Sequence, residues 1–300
     1  MSELPVIAAV DGSEHSLRGL EWALDAARLR GAELLVAHVW PWPPNLHGTP
    51  EPPPAVPSAD EDPVLEDVRT WLAGRGDTPL VRFTTLTGTP SATLPELGAQ
   101  AQLLVLGSRG RGGFASLLLG SNGRAAAAHA GCPVVVVPHG ERGREPGFGP
   151  AGRVVLGLEP EETVDDVVRF AFDEALRRGA RLQVVTTYPV PFSTLALMGA
   201  AQVDPGDPEG PQIAREVARA QRERLSHSTR GRSDEVDVEW VVAAGDAAGR
   251  LVDASESAGL VVVGRHRHRM RHPGMFFGSV SNAVLLHARC PIAVVPPPER

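Results

Sequence analysis

The chain has 300 residues, of which 42% are hydrophobic and 22% charged, with a formal net charge of −7. This length predicts two domains of about 100–200 residues each, and the acidic balance argues against a surface that binds nucleic acid duplexes in general. All 29 basic residues are Arg, which excludes Schiff-base chemistry on a lysine and a P-loop that ends in Gly-Lys.

The N-terminal half predicts alternating strands and helices. Strands are predicted at 5–10, 33–40, 79–85, 102–107 and 133–138, and helices at 14–30, 62–74, 90–99 and 122–130. In the first helix, Leu17, Leu20, Leu24 and Ala27 recur at helical spacing, and Gly31 follows its end. This alternation predicts a parallel sheet with helices on both faces, which binds ligands beyond the carboxyl ends of its strands.

The C-terminal half repeats the same order, so the sequence indicates an internal duplication. HAGCPVVVVP at 129–138 returns as HARCPIAVVP at 287–296, and LLVAHVWP at 34–41 returns as LQVVTTYP at 182–189. The predicted elements of this half are 153–158, 162–178, 181–187, 211–226, 235–243, 246–257, 259–264, 280–288 and 291–296. Anchors that keep one order predict two homologous domains.

A segment rich in Gly, Pro and charge separates the repeats. We therefore predict a first domain at 1–140, a linker at 141–152 and a second domain at 153–300. Pro-rich tracts at 41–63 and 189–211 predict a long loop after the second strand of each repeat.

Cysteine placement and the N-terminus both favour a cytoplasmic protein. Cys132 and Cys290 occupy one position of the repeat, each before a Pro and an apolar run, which favours buried thiols over a disulfide. The N-terminus lacks the basic segment of a secretory signal. No apolar run approaches the ~18–20 residues that a membrane span needs.

Two features of the first repeat point to a nucleotide site. Asp11 ends the first strand, and Gly107, Gly110, Gly120 and Ser121 follow the fourth with the spacing G-x2-G-x9-G-S. Glycines let the backbone approach a ligand closely, and Gly120-Ser121 lead into a helix N-terminus whose amides suit phosphate. A single glycine of this kind is more often a plain chain reversal, whereas the whole pattern with Asp11 favours a binding site.

These motifs, together with HAGCPVVVV, resemble those of the universal stress protein family over both halves of the chain. The resemblance implies an α/β fold of two tandem repeats, each a five-stranded parallel sheet with helices on both faces, Rossmann-like and suited to adenine nucleotides. It also implies ATP as the ligand, with or without Mg²⁺, although some family members bind no nucleotide.

Carried over residue by residue, the resemblance implies adenine and ribose contacts in the first repeat at Ala9, Asp11 and Val39. It implies phosphate contacts at Gly107, Gly110, Gly120, Ser121, Asn122 and Gly123. The family usually continues G-S-V-[ST] here, so Asn122-Gly123 loses one hydroxyl, which Asn122 replaces in part.

In the second repeat the implied contacts are Gly264, Arg267, Gly278, Ser279, Val280 and Ser281. Glu159 stands in place of Asp11 and Arg267 in place of the second glycine, whereas Gly278-Ser279-Val280-Ser281 is the complete family ending. The first repeat is therefore expected to be the stronger site.

Basic residues near the second site leave several interpretations open. Three interpretations of RHRHRMRH at 265–272 stay open: a cationic cover over phosphates, a metal-binding tract and a solvated loop. His38 is close to the first predicted site, while structural roles are favoured for His129 and His287. The sequence offers no nucleophile paired with a base and no metal-ligand set.

The sequence thus favours a nucleotide-binding regulatory protein of the stress response over an enzyme. The alternatives are a slow ATPase and a nucleotide-free protein that binds a partner. We expect an adenine nucleotide and a protein of unknown identity as partners, without nucleic acid or membrane. The last strands, 134–138 and 292–296, are expected to pair within one chain as an internal pseudo-dimer, which makes a homodimer of whole chains optional.

Overall fold

The computed structural model describes residues 4–41, 56–76, 78–110, 119–138, 152–188, 212–265 and 278–298. The chain divides into two compact units, Met1–Glu141 (unit 1) and Arg142–Arg300 (unit 2). Of the predicted linker 141–152, all but Gly152 lies outside the described residues.

The described part of unit 1 alternates strands and helices as predicted. Its strands are β1 (Val6–Val10), β2 (Leu34–Pro41), β3 (Val81–Gly88), β4 (Leu103–Gly107) and β5 (Val134–Val137). Its helices are α1 (Glu14–Arg30), α2 (Pro63–Ala73), α3 (Pro90–Leu97) and α4 (Ser121–His129). The strands follow the order β3-β2-β1-β4-β5, and every neighbouring pair is parallel, so the predicted parallel α/β sheet is confirmed.

Local sequence explains how α1 begins, ends and packs. The side chain of Ser13 accepts a hydrogen bond from the amide of Ser16, and Gly31 ends the helix in the left-handed conformation at φ 59°. Leu20, Trp22 and Leu24 are fully or almost fully buried. The interior strand β4 is buried at four consecutive positions, which shows that both of its faces are covered.

The strand order changes direction at β1, and this creates a crevice. β1 pairs with β2 on one side and with β4 on the other, so the connections from these strands leave toward opposite sides of the sheet. In parallel α/β sheets, the crevice at the carboxyl ends of two such strands is the usual place for a ligand.

The described part of unit 2 repeats this topology, which confirms the duplication. Its strands are β6 (Arg153–Gly157), β7 (Arg181–Tyr188), β8 (Val238–Ala244), β9 (Leu260–Gly264) and β10 (Ile292–Val295). Its helices are α5 (Asp165–Arg178), α6 (Gln212–Ser228), α7 (Ala247–Ala254) and α8 (Ser279–His287). Within this unit the order is β10-β9-β6-β7-β8, and all neighbouring pairs are again parallel.

The start of α5 differs from the prediction of a helix from 162. The helix begins at Asp165, because the amide of Glu159 donates to the hydroxyl of Thr163 and the amide of Thr163 donates to the carbonyl of Glu159. In unit 1 the corresponding turn uses Gly12 at φ 77°. Pro160 cannot adopt that angle, because its ring fixes φ near −65°, so the turn of unit 2 takes another path.

Both cysteines are buried thiols, as predicted. Burial raises the pKa of the Cys290 thiol to about 12, which keeps the thiol protonated and unreactive at neutral pH. Among the helices of the described residues, none has the length and apolar character needed to cross a bilayer.

Candidate functional site

A cavity of about 390 Å³ lies at the carboxyl ends of β1, β2 and β4 in unit 1. All nine residues predicted for the first repeat line it: Ala9, Asp11, Val39, Gly107, Gly110, Gly120, Ser121, Asn122 and Gly123. They come from three strand ends and the start of α4, so the fold brings together residues that lie more than a hundred positions apart. Nucleotide binding by these residues stays a prediction.

The floor of the cavity is apolar. Ala9 pairs in register with Ala37 on one side and with Leu106 on the other, and all three line the cavity. Leu94 of α3 lines it as well. A floor of small apolar groups can accommodate a flat aromatic ring and offers little to a charged group.

Asp11 stands at the rim, held by its own turn. One carboxylate oxygen of Asp11 accepts hydrogen bonds from the amide of Ser13 at 3.0 Å and from its hydroxyl at 2.6 Å. The amide of Asp11 donates to the hydroxyl of Ser16 at 3.3 Å. Because this turn fixes one oxygen of the carboxylate, the orientation of the other is fixed with it.

Two glycines allow the backbone to come close to this turn. A Cβ atom at Gly110 would lie 2.5 Å from the second carboxylate oxygen of Asp11, and one at Gly107 would lie 2.3 Å from the carbonyl oxygen of His15. Real Cβ atoms do not make contacts this short. Gly110 therefore brings the backbone after β4 over Asp11, and Gly107 lets α1 pack directly against the end of β4.

The start of α4 forms the polar end of the cavity. Gly120 is the N-cap residue, and its amide donates to the carbonyl of Ser108 at 2.8 Å. Because Gly120 has no side chain, it does not cap the amides of the first turn, which also contains no acidic residue. Exposed amides and the positive end of the helix dipole favour an anion at this position.

Sequence reasoning missed several residues of the cavity wall. The wall also includes five residues outside the predicted set, namely Ser16, Pro90, Leu94, Ser108 and Arg109. Ser108 and Arg109 are the two unspecified positions of G-x2-G, so their place between the motif glycines was the available indication. Pro90 and Leu94 belong to α3, whose approach to the strand ends depends on packing that the sequence does not reveal.

Behind the end of β2 lies a polar cluster of the buried His38 and Asp62 and the half-buried Thr85. Nδ1 of His38 lies 2.7 Å from a carboxylate oxygen of Asp62, and the hydroxyl of Thr85 donates to the same oxygen at 2.8 Å. The other oxygen of Asp62 accepts from the amide of Val64 and thereby caps α2. Burial raises the pKa of the Asp62 carboxyl, but the hydrogen bonds from His38 and Thr85 outweigh it and leave the pKa below its ordinary value.

This cluster ties three elements together beside the cavity. His38 and Thr85 are paired in the β2–β3 register, and Asp62 begins α2. His38 and Val39 both line the cavity. Because His38 is held by this cluster, the cluster also fixes the end of β2, which carries the predicted contact at Val39.

In unit 2 the predicted residues gather around the start of α8. Gly264 ends β9, and Gly278 is the N-cap of the helix in which Ser279, Val280 and Ser281 form the first turn. Ser281 is only 2% exposed, and its hydroxyl donates to the carbonyl of Gly264 at 2.9 Å. Arg267 and most of the basic tract 265–272 lie outside the described residues.

A larger cavity of about 580 Å³ lies at the other end of the sheet of unit 2. It borders the amino ends of β6 and β7, and none of the predicted site residues lines it. Its charged groups are paired, since Arg181 contacts Asp237 at 2.7 Å and Arg153 contacts Glu239 at 3.1 Å. Within the described ranges, no three His, Cys, Asp or Glu residues come together as metal ligands would.

Comparison with known proteins identifies the family. The model of the universal stress protein family matches residues 4–138 and 151–296. The chain belongs to the universal stress protein family. A universal stress protein of Mycobacterium tuberculosis is 34% identical over 301 residues, covering 96% of this chain and 96% of the relative.

Solved structures of universal stress proteins are similar to this chain as well. One from Archaeoglobus fulgidus covers 99% of this chain and 97% of its own, with a TM-score of 0.62 at 17% identity, and supports the fold. A universal stress protein in complex with cAMP is 27% identical and covers 46% of this chain and 98% of its own, with a TM-score of 0.34.

Proposed function

We propose that unit 1 of this universal stress protein binds an adenine nucleotide, ATP in the first place, and that the protein is a nucleotide-binding regulator of a stress response. The observation that carries the proposal is the convergence of all nine predicted residues on one cavity of about 390 Å³. This volume lies within the roughly 300–1,000 Å³ of typical small-molecule sites.

The three regions of the cavity match the three parts of a nucleotide. The apolar floor of Ala9, Ala37 and Leu106 suits the adenine ring. The carboxylate of Asp11, oriented by Ser13, suits a pair of ribose hydroxyls, because an ionised carboxylate only accepts hydrogen bonds. The uncapped start of α4 suits phosphate.

The preference of Mg²⁺ for phosphate oxygens determines how this ion would bind. Magnesium usually keeps several waters and is bound through substrate phosphates with one or two carboxylates. We therefore propose that any Mg²⁺ enters with the phosphates of the ligand, without a metal site built by the protein alone. The ion would neutralise phosphate charge beyond the reach of the α4 amides.

We further propose that the ligand is bound for regulation and is not turned over. Two of the polar groups around the cavity have structural partners: Asp11 accepts from Ser13, and His38 directs Nδ1 to Asp62. Backbone amides and apolar contacts hold a ligand but do not supply a nucleophile or a general base. Steady-state hydrolysis of ATP above about 1 s⁻¹ would instead indicate an enzyme.

Nucleotide carried by the purified full chain tests this proposal. We expect chromatography of the supernatant after heat denaturation to show an adenine nucleotide in amounts comparable to the protein. Asp11→Ala should lose most of this nucleotide. Asp25→Ala, which changes a half-exposed α1 residue paired with Arg28, should retain it. If neither the native chain nor the control carried nucleotide or acquired it on incubation with ATP, the proposal would be wrong.

A further inference from the structure

The hydroxyl of Ser108 is a buried polar group on the cavity wall that has no hydrogen-bond partner among the described residues. Ser108 is 4% exposed and lines the cavity. Nearly all buried polar groups in native proteins are hydrogen-bonded, and an exception calls for an explanation. At the wall of a binding cavity, an atom of the ligand is the simplest missing partner.

The backbone of Ser108 is fixed at both of its polar atoms. Its amide donates to the carbonyl of Val137 at 2.8 Å, and its carbonyl accepts from the amide of Gly120 at 2.8 Å. The first bond extends the pairing of β4 with β5, and the second holds the residue that begins α4. The side chain is therefore presented from a rigid position.

The side of the sheet on which Ser108 lies follows from the strand geometry. Residues two apart along a strand face the same side, and Ser108 follows Leu106, which pairs in register with Ala9 on the cavity floor. Gly107, between them, lies against His15 of α1. The Ser108 hydroxyl is thus on the cavity side, and rotation about the Cα–Cβ bond between staggered positions aims it at a ligand.

The surroundings of Ser108 favour a phosphoryl group. On one side lie the amides of Ser121, Asn122 and Gly123 at the uncapped start of α4, where an anion is favoured. On the other side, Ala9 and Leu106 form the last pair of the β1–β4 register, and Asp11 and Ser108 each follow two residues later and line the cavity. The carboxylate of Asp11 repels phosphate and suits sugar hydroxyls, so a phosphoryl group that reaches Ser108 is the one attached directly to the sugar.

We propose that the Ser108 hydroxyl donates a hydrogen bond to the first phosphoryl group of a bound nucleotide and so makes unit 1 distinguish nucleoside 5′-phosphates from nucleosides. The inference rests on the proposed function and deepens it. A hydrogen bond to a charged oxygen is stronger than one between neutral groups, and adenosine, which lacks that oxygen, cannot make it.

Unit 2 shows that the fold itself does not require a serine at this position. The corresponding residue is Arg265, whose amide donates to the carbonyl of Val295 at 2.8 Å, as the amide of Ser108 does to Val137. A buried hydroxyl at the start of α8 in unit 2, on Ser281, donates to the carbonyl of Gly264. One unit therefore uses its hydroxyl within the fold, and the other leaves a hydroxyl for the cavity.

Titration of the full chain with adenosine and with AMP tests the role of Ser108. Ser108→Ala should weaken the binding of AMP by about tenfold or more, the scale of a lost hydrogen bond to a charged group, and leave the affinity for adenosine within about twofold. Ser58→Ala, which removes a hydroxyl bonded to Glu61 away from the cavity, should change neither affinity.

The melting temperature of Ser108→Ala is a second measurement, because a purely structural role of Ser108 would lower it. Because the methyl group of Ser108→Ala replaces a hydroxyl without a partner, the melting temperature of the nucleotide-free variant should equal or exceed that of the native chain. If the alanine variant fails to fold, Ser108→Cys retains the size with a weaker donor and should lose AMP affinity in the same way.

Each outcome has a defined meaning. Unchanged AMP affinity in the folded variant, equal losses for adenosine and AMP, or a lower melting temperature of the nucleotide-free protein would each overturn the role of Ser108 while leaving nucleotide binding intact. Failure of the native chain to bind adenosine, AMP or ATP would instead overturn the proposed function, and this inference with it.

Discussion

At the residue scale, Gly107 and Gly110 of unit 1 have different roles, although both are glycines of the same G-x2-G motif. The missing side chain of Gly107 leaves room for a backbone atom, the carbonyl oxygen of His15, whereas that of Gly110 leaves room for the end of the Asp11 side chain. A backbone atom within a packed helix yields little, but a carboxylate can turn away. The same substitution at the two positions should therefore have separable effects.

Gly107→Ala should mainly destabilise the fold, and Gly110→Ala should mainly weaken binding. The first forces α1 away from β4 and should cost about 1–3 kcal/mol, the usual range for overpacking. The second displaces the Asp11 carboxylate and should lower nucleotide affinity about as much as Asp11→Ala, with a change in stability below about 1 kcal/mol. Thermal unfolding measures the stability of both variants, and nucleotide titration measures their affinity. If the two variants behaved alike in both assays, the distinction between the two glycines would be wrong.

Most of this site could be predicted from the sequence, because its residues sit at strand ends and at a helix start marked by glycines. Ser108 could not be singled out, since an unpartnered hydroxyl is visible only in three dimensions. The contact between His38 and Asp62 spans 24 positions across a Pro-rich tract. No local pattern fixes where α2 begins relative to β2, so the sequence does not reveal that the side chains of His38 and Asp62 pair.

At the scale of elements, Asp62 gives one side of the site a dependence on pH. It joins α2 to the ends of β2 and β3 through Val64, His38 and Thr85. Because its folded-state pKa is lowered, the ionised carboxyl stabilises the fold above its ordinary pKa of 3.8. This contribution is lost as the pH falls through the still lower folded value.

Asp62→Asn should therefore destabilise the protein near neutral pH by about 1–3 kcal/mol, because the buried bonds lose their charge. The difference from the native chain should shrink as the pH falls below 3.8. Urea unfolding midpoints at pH 7 and in acid measure this difference in stability, with Asp25→Asn, at a half-exposed position of α1, as control. A difference of the same size at both pH values would exclude the charge of Asp62 as its source.

Ser281 shows how one hydroxyl can join two elements in unit 2. Its bond to the carbonyl of Gly264 connects the first turn of α8 to the end of β9, at the position that Gly123 occupies in unit 1. The sequence predicted a phosphate contact here, which stays a prediction. The same hydroxyl already has a structural partner within the fold.

Ser281→Ala should loosen the junction of β9 and α8 by about 1–2 kcal/mol, because it leaves the partly buried carbonyl of Gly264 without the donor that Ser281 supplies. Amide hydrogen exchange should become faster in peptides from these two elements and stay unchanged in unit 1. The exposed neighbour Ser279, changed to Ala, serves as the matched control. Native exchange rates in the Ser281 variant would show that the bond does not stabilise the junction.

At the scale of the whole molecule, the duplication gives two units of one topology with different sites. Unit 1 has Asp11 and the closely spaced glycines around its cavity. Unit 2 has Glu159 at the start of a turn that contains Pro160, and its helix α5 begins only at Asp165. The repeat and the parallel sheets could be predicted from anchors in one order. Pairing of the last strands within one chain stays a prediction.

The central claim is that unit 1 holds an adenine nucleotide through Asp11 and the glycines of G-x2-G-x9-G-S. Calorimetric titration of the full chain with ATP tests it most directly, with Asp11→Ala compared against Asp25→Ala. We predict a saturable site in the native chain and in the control, with affinity about tenfold or more lower in Asp11→Ala, the scale of a lost charge-assisted hydrogen bond. Absence of saturable binding in the native chain, or equal affinity in both variants, would contradict the account.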